Sequence, residues 1–147
     1  MLEQAHHQLT IATQSPGFTD LTAAIGQWLA SIDAGDGLLT LFVRHTSASL
    51  VIQENADPEV LRDLSCSLEA LAPRGGSYRH SIEGPDDMPA HIKSMLTATS
   101  LGVPVMGGRA VLGTWQAIYL IEHRDRGRAR TIALHYLGTR RRSTPPS

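Results

Sequence analysis

The chain has 147 residues, a formal net charge of −1, and a composition of 41% hydrophobic and 18% charged residues. This length fits one domain with a core of its own, and this composition argues against a disordered protein. No apolar run is long enough for a transmembrane helix, and the near-neutral charge argues against general nucleic-acid binding. The single cysteine excludes an internal disulfide framework, and the first residues lack the pattern of a secretory signal. We therefore expect a cytoplasmic protein with neither a membrane nor a nucleic-acid partner.

The first half of the chain predicts two strands and two helices. A β-branched pattern predicts a strand over residues 8–13, and apolar spacing predicts a helix over residues 18–32, which Thr19 or Asp20 could cap. The apolar run 38–43 is predicted to be a central strand. A second helix is predicted from Asp57 to Leu71, since proline at position 58 suits the first turn. Cys66 of this helix is interpreted as a packing residue and not as a nucleophile.

The second half predicts one helix and more strands. We expect a short strand over residues 77–82, a helix from residue 86 or 87 to about 98, and an extended segment at 103–105. Strands are predicted at 109–112, 115–123 and 128–137, and their short turns indicate antiparallel neighbours. The fold class is therefore α+β: a compact single domain, residues 1–139, with helices packed on a largely antiparallel sheet. The arginine-rich residues 140–147 are predicted to be a disordered tail.

Polar side chains directly follow the apolar run 38–43, in the segment 44–49. A strand end is a place where a rigid scaffold can present side chains to a ligand. The hydroxyl groups of Thr46, Ser47 and Ser49, with exposed backbone N–H groups, could hold an oxyanion or a phosphate. The alternative is an ordinary polar loop, in which His45 is a structural histidine.

The segment from His80 to Lys93 is the richest in groups that could carry chemistry. Asp87 and His91 are four residues apart on the predicted helix, so they would project from one face. There they could share a divalent metal, or the carboxylate could orient the imidazole. His80 could join from the preceding strand, and Lys93, the only lysine, could bind a phosphate. The alternative, which the spacing by itself favours, is an ordinary capped helix in which His91 pairs locally.

Other polar groups stand near strand and helix ends. Glu54 and Asn55 precede the second helix, and helix capping explains only Asp57. Glu122 ends an apolar strand, where an acid is either solvated or part of a site. Trp115 and Tyr119 of that strand are predicted to be core or interface residues.

Four motifs occur in order along the chain: HTSASL at 45–50, ENADP at 54–58, EGPDDMPAHIKS at 83–94 and LGTWQ at 112–116. In order and wording they resemble the YjbQ family, also called the secondary thiamine-phosphate synthase family. The resemblance covers about residues 3–138. It implies a homotrimer of YjbQ-like α+β subunits, and a polar, histidine-rich pocket that binds a divalent metal, Mg²⁺ or Zn²⁺.

The family name implies an enzyme that joins hydroxymethylpyrimidine diphosphate to thiazole phosphate and releases pyrophosphate. A divalent ion could neutralise the departing pyrophosphate. The resemblance and the polar segments together give three sets of candidate residues. The metal ligands are His45, His80, Asp86 and His91; the catalytic residues are Glu54, Asp87 and Glu122; the substrate-binding residues are Thr46, Ser47, Ser49, Asn55, Lys93 and Gln116.

Two other functions fit the same residues. One is a metal-dependent hydrolase of a small phosphorylated or ester metabolite, with Glu54, Asp87 or Glu122 as the base for a metal-bound water. The other is a trimeric protein that binds a metabolite or a metal without catalysis. The expected partner of an enzyme here is a small phosphorylated metabolite.

Overall fold

The computed structural model describes residues 1–141, which form eight strands and three helices. The strands are β1 (Glu3–Ala12), β2 (Gly17–Asp20), β3 (Ala34–Val43), β4 (Ala48–Glu54), β5 (Ser100–Met106), β6 (Arg109–Ala110), β7 (Gln116–Glu122) and β8 (Ala129–Arg140). The helices are α1 (Thr22–Ser31), α2 (Pro58–Leu71) and α3 (Asp87–Leu96). Two sheets, ordered β1-β8-β3-β5-β6 and β2-β7-β4, contain only antiparallel pairs. The predicted α+β fold with an antiparallel sheet and packed helices is confirmed.

One contiguous core joins both sheets and helix α1. In β3, alternate residues point inward, and Leu39, Leu41 and Val43 are at most 1% exposed. In β7, the middle strand of the smaller sheet, every residue from 117 to 122 is buried. This strand therefore places the polar residues that follow it at the edge of a rigid core. No helix within residues 1–141 has the length and apolar character needed to cross a membrane.

Several predicted elements differ from the observed ones near turns. Residues 17–20 form β2, whereas the apolar spacing predicts a helix there; α1 begins only at Thr22, whose N–H donates to the Asp20 carboxylate. The prediction also lacks β4, because its short sequence shows neither the two-residue alternation of a half-buried strand nor the 3.6-residue spacing of a helix. The prediction of a strand at 77–82 is wrong: those residues form turns and irregular structure, and no strand among residues 1–141 pairs with them.

The last three strands do not pair with one another, although short turns connect them. β6 pairs with β5, β7 lies between β2 and β4, and β8 lies between β1 and β3. The connecting turns therefore carry the chain from one sheet to the other across the core. Tyr119 is 6% exposed and belongs to the core, whereas Trp115 is 63% exposed, so an interface role for Trp115 stays a prediction. Cys66 is also exposed, which contradicts its interpretation as a packing residue.

The predicted tail overlaps the end of β8. Arg140 belongs to that strand, and the Arg141 side chain donates a hydrogen bond to the Ala34 carbonyl at 3.1 Å. β8 therefore takes in the first residue of the predicted tail, because it pairs with β3 up to Arg140. The rest of the predicted tail, residues 142–147, lies outside the described residues.

A chain of hydrogen bonds ties α3 to the smaller sheet. Ser49 Oγ lies 2.8 Å from His123 Nε2 and 2.5 Å from Thr97 Oγ1, and Thr97 Oγ1 lies 2.8 Å from the Lys93 carbonyl. A carbonyl only accepts, so Thr97 donates to Lys93, Ser49 donates to Thr97, and His123 donates to Ser49. Each hydroxyl then donates one bond and accepts one, with the His123 proton on Nε2.

We predict that the free energy of unfolding rises as the pH is raised from about 4 to 6.5. Burial, with the positive charge of Lys93 nearby, lowers the pKa of His123 to about 4. Within this window the unfolded chain binds a proton that the folded chain does not, so folding is disfavoured at the acid end. The shift corresponds to as much as roughly 3 kcal/mol.

Urea unfolding across this pH range measures the effect. The matched variant is His123→Gln, whose amide keeps an N–H donor for Ser49 but does not titrate. Its stability should vary less with pH than that of the parent protein, and equal slopes in the two proteins would contradict the prediction.

Candidate functional site

The candidate site lies where the first turns of α3 meet two loops. One loop, residues 44–47, follows β3, and the other, residues 123–128, follows β7. His91 Nδ1 lies 3.0 Å from the Thr46 carbonyl of the first loop, and Asp87 bonds to Arg124 of the second. Three segments far apart in sequence therefore form one surface.

Three side chains at this surface could together hold a metal ion. His80, Asp87 and His91 each offer one donor atom, and these atoms all lie within 4.8 Å of one another. Asp87 Oδ2 is 2.6 Å from His80 Nε2 and 3.1 Å from His91 Nε2. The predicted spacing does place Asp87 and His91 on one helix face. His80 reaches them from the irregular segment before α3, not from a strand.

The hydrogen bonds of His91 suit a ligand. The Thr46 carbonyl can only accept, so Nδ1 of His91 carries the proton. In the neutral ring, Nε2 then presents a lone pair toward Asp87 Oδ2, which also only accepts. Two acceptors 3.1 Å apart need a positive charge between them, either a proton on His91 or a metal ion. A histidine that donates its other N–H to a backbone carbonyl is the usual arrangement of a metal ligand.

Arg124 holds Asp86 and Asp87 in place. Its Nη1 donates to Asp87 Oδ1 at 2.7 Å and its Nε donates to Asp86 Oδ2 at 2.8 Å. The Arg124 guanidinium, aided by the Asp125 N–H, lowers the pKa of Asp86 to about 2. Asp86 therefore lies outside the three-residue cluster, while Asp87 keeps Oδ2 directed at the two histidines.

Two other candidates, His45 and Glu122, also lie outside the cluster. His45 Nε2 accepts a hydrogen bond from the Thr131 N–H at 2.8 Å. Glu122 is 2% exposed and forms an ion pair with Arg130, and the Thr13 hydroxyl donates to it at 2.5 Å. Burial opposes the charge on Glu122, but these hydrogen bonds hold its pKa below the ordinary value. Glu122 is thus an ionised partner of a buried arginine and not a free base.

The cluster borders a cavity of about 390 Å³ with four arginines in its wall. Arg124 and Arg130 are paired with carboxylates. Arg44 and Arg128 are exposed, and within residues 1–141 neither guanidinium forms an ion pair. Two free positive charges therefore remain, which would attract an anion to this cavity. The other lining residues are His45, Thr46, Ser47, Glu83, Asp87 and His91.

A second cleft of about 550 Å³ adjoins this cavity. The two share Arg44, His45, Thr46 and His91, and the second cleft adds apolar side chains that include Phe42 and Met95. Phe42 is 49% exposed and Met95 is 77% exposed. An organic molecule could therefore place its anionic end among the arginines and its apolar part on this wall.

The predicted substrate-binding residues near α3 differ in their surroundings. Thr46 and Ser47 line the cavity, and Arg130 Nη2 donates to both the carbonyl and the hydroxyl of Ser47 at 3.0 Å. Ser49 is 1% exposed within the hydrogen-bond chain to His123. Lys93 is 6% exposed and pairs with Glu69 of α2. Neither Ser49 nor Lys93 lines the cavity.

Glu54, Asn55 and Gln116 lie at the opposite end of the smaller sheet. In the β4–β7 pair, Ala48 stands opposite Glu122 and Glu54 stands opposite Gln116. Six residues of extended strand span about 20 Å, so a single chain does not bring these three to the cluster. Glu54 Oε2 is buried without a hydrogen-bond partner among residues 1–141, and Gln116 Oε1 accepts from the Gly113 N–H.

The arginines of the cavity are not among the site residues predicted from the sequence. Arginine occupies every second position from Arg124 to Arg130, in the loop after β7 and at the start of β8. That alternation is a signal in the sequence that could have identified them as a cationic segment. The sequence does not show that this segment lies beside the predicted histidine segment. Arg44, directly before His45, has no such signal.

Comparisons with known proteins agree with the fold and the motifs. A family model described as UPF0047 protein YjbQ-like matches residues 7–139. The UPF0047 protein sll1880 of Synechocystis is 50% identical over 131 residues, which cover 88% of this chain and 89% of that protein. The UPF0047 protein YjbQ of Escherichia coli O157:H7 is 46% identical over 125 residues, 84% of this chain and 91% of that protein.

A solved structure matches the fold. The crystal structure of the hypothetical protein APE1520 from Aeropyrum pernix K1 superposes with a TM-score of 0.84 at 32% identity. The match covers 92% of this chain and 99% of that one. Since the family model and these relatives span most of the sequence, the chain belongs to the YjbQ/UPF0047 family.

Proposed function

We propose that the chain is a metal-assisted enzyme that acts on a small phosphorylated molecule. The observation that carries this proposal is the contact between the His80–Asp87–His91 cluster and a cavity with two unpaired arginines. Guanidinium groups bind phosphate oxygens strongly, and a divalent ion neutralises charge on a departing phosphate. Of the two ions that the resemblance implies, two imidazoles favour Zn²⁺ over Mg²⁺.

The reaction we propose joins hydroxymethylpyrimidine diphosphate to thiazole phosphate and releases pyrophosphate. The bond from the pyrimidine methylene carbon to the diphosphate oxygen breaks, and the thiazole nitrogen forms a new bond to that carbon. The divalent ion, when bound, supplies charge neutralisation at the diphosphate. Such a reaction needs orientation and charge neutralisation more than proton transfer.

The side chains then have distinct roles in the proposed reaction. The ion is held by His80, Asp87 and His91. Arg124 orients the Asp87 carboxylate by donating a hydrogen bond to its Oδ1 atom. Arg44 and Arg128 bind phosphate oxygens, and the neighbouring apolar cleft receives a ring. Asp87 is therefore a ligand in this proposal and not a general base.

We predict that His91→Ala lowers the affinity for Zn²⁺ by at least about tenfold and leaves the fold intact. The substitution removes one of three nitrogen or oxygen donors, and even the loss of a supporting residue behind a ligand typically costs tenfold or more. Competition with a chelating dye measures the affinity. The matched control is His135→Ala, because His135 lies on β8, where its ring contacts Gln4 and His6 and lies outside the cluster. Equal zinc affinity in the two variants would rule out His91 as a ligand.

We predict that the purified protein forms thiamine phosphate from the two precursors and a divalent ion. Product should require the ion, vanish in His91→Ala and persist in His135→Ala. No product, or equal traces from the parent and His91→Ala, would contradict the transferase proposal. If water alone consumes a phosphorylated metabolite, the protein is a hydrolase. If a metabolite binds tightly without turnover, it is a binding protein.

We also propose the homotrimer that the resemblance implies. Leu38 on β3 and Leu137 on β8 are 47% and 45% exposed, and they lie side by side on the outer face of the larger sheet. An apolar sheet face of this kind is typically covered by another chain. A second copy would supply that cover, since most soluble assemblies are built from identical subunits.

Light scattering tests the assembly directly. The protein should have a mass of three times 15.9 kDa. Leu38→Arg should shift this mass toward that of a single chain, because it places a charge on the apolar face. Leu71→Arg is the matched control, since Leu71 is 66% exposed on α2. A parent protein with the mass of one chain would contradict the proposal.

We place the working location of the chain in the cytoplasm. Its one cysteine, Cys66, is free and exposed. Exposed thiols of this kind stay reduced in the cytosol.

A further inference from the structure

We infer that His45, Arg44 and Arg128 form an oxyanion subsite, in which His45 acts as a neutral hydrogen-bond donor and not as a metal ligand. The inference deepens the proposed function and rests on it in one respect: it concerns the cavity that would hold the substrate. It requires neither turnover nor a bound metal. The ligand class is a tetrahedral oxyanion, such as a phosphate group or sulfate.

The tautomer of His45 follows from its one hydrogen bond. The backbone N–H of Thr131 points at His45 Nε2 at 2.8 Å, and a backbone N–H can only donate. Nε2 therefore accepts through its lone pair, and the neutral ring carries its proton on Nδ1. Neither nitrogen then has a free lone pair for a metal. This explains why His45 stands outside the cluster although its ring lines the same cavity.

The surroundings of His45 keep the ring neutral. Partial burial lowers its pKa, the positive charges of Arg130, Arg44 and Arg128 lower it further, and Glu122 opposes them in part. A second proton is disfavoured next to three guanidinium groups. The ring therefore supplies an N–H donor at Nδ1 without adding a charge of its own.

The three residues are held by the backbone around them. The Arg44 N–H donates to the Thr131 carbonyl at 3.1 Å, and Thr131 also binds the His45 ring. The Arg128 N–H donates to the Thr13 hydroxyl at 3.0 Å. These bonds anchor the start of each side chain at the rim of the cavity. In residues 1–141, His45 Nδ1 has no hydrogen-bond partner, so its donor is available to a ligand.

The donors fit an oxyanion better than they fit a carboxylate of the same chain. Glu83 lines the cavity, but it is exposed and makes no ion pair with Arg44 or Arg128 among the described residues. The cavity carboxylate Asp87 is already bonded to Arg124. Two guanidinium groups and one imidazole thus line the same cavity, and both guanidinium groups lie close enough to His45 to lower its pKa. Among residues 1–141, no acidic side chain forms an ion pair with either guanidinium. Charged donors of this type bind phosphate oxygens more strongly than neutral ones do.

Sulfate binding to the full-length protein tests the subsite. Sulfate keeps its charge near neutral pH, so a titration followed by NMR reports the subsite without ionisation of the probe. In His45→Gln the amide oxygen can still accept from Thr131, but the donor at Nδ1 is lost. This variant and Arg128→Gln should each bind sulfate roughly tenfold more weakly. Arg126→Gln is the matched control, because Arg126 is exposed in the same loop and does not line the cavity.

Two further measurements separate the donor role from a structural or ligand role. The zinc affinity of His45→Gln should equal that of the parent protein, in contrast to His91→Ala. Long-range ¹H–¹⁵N correlation should show the His45 proton on Nδ1. If His45→Gln does not fold, Arg44→Gln and Arg128→Gln carry the sulfate test, since both side chains are exposed.

Three results would overturn the inference. These are unchanged sulfate affinity in all the subsite variants, a loss of zinc affinity in His45→Gln as large as in His91→Ala, and a proton on Nε2 of His45. Sulfate bound equally well by the Arg126→Gln, His45→Gln and Arg128→Gln variants would mean an adventitious ion only. Failure to form thiamine phosphate would not change any of these results, so the subsite and the proposed reaction can fail separately.

Discussion

The buried guanidinium group of Arg124 is the constraint on which the candidate site depends. Asp86 and Asp87 are adjacent in sequence and almost fully buried, at 9% and 2% exposed. Two carboxylates so close together in a core would repel each other and lose hydration, and an arginine between them offsets both costs. Because Arg124 follows β7 and Asp87 starts α3, the ion pairs also fix the helix against the smaller sheet. The direction of Asp87 Oδ2 toward the two histidines follows from this arrangement.

Arg130 of β8 likewise compensates the buried charge of Glu122, which ends β7. The arginine is 2% exposed, and it also binds the carbonyl and hydroxyl groups of Ser47 at the wall of the cavity. Loss of either partner would leave an unpaired buried charge, which is far more destabilising than loss of a surface pair. Paired charges therefore build the frame of the site. The unpaired charges of Arg44 and Arg128 at its rim are left for a ligand.

Part of this site is predictable from the sequence, because it depends only on the geometry of one helix. Asp87 and His91 are four residues apart on a helix, and helical geometry alone places their side chains together. The same reasoning cannot assign Asp86, because its partner Arg124 is 38 residues away. It also cannot distinguish the role of His45 from that of His91, since each ring is hydrogen-bonded to a residue far away in the chain. Their roles differ because Thr131 donates to the one and Thr46 accepts from the other.

Local patterns in the sequence by themselves determined the helices α2 and α3, the apolar strand β3, the α+β class and the family. Those features depend on periodicity, on caps such as Asp57 and on ordered motifs, which act over a few residues. Only the tertiary structure decided which sheet each of the last strands joins and which carboxylate each arginine binds. It also decided that Glu54 and Gln116 lie at the opposite end of the β4–β7 pair from Glu122, about 20 Å along the strands. The physical reason is that strand pairing, ion pairing and the choice of tautomer depend on distances in space between residues far apart in the chain.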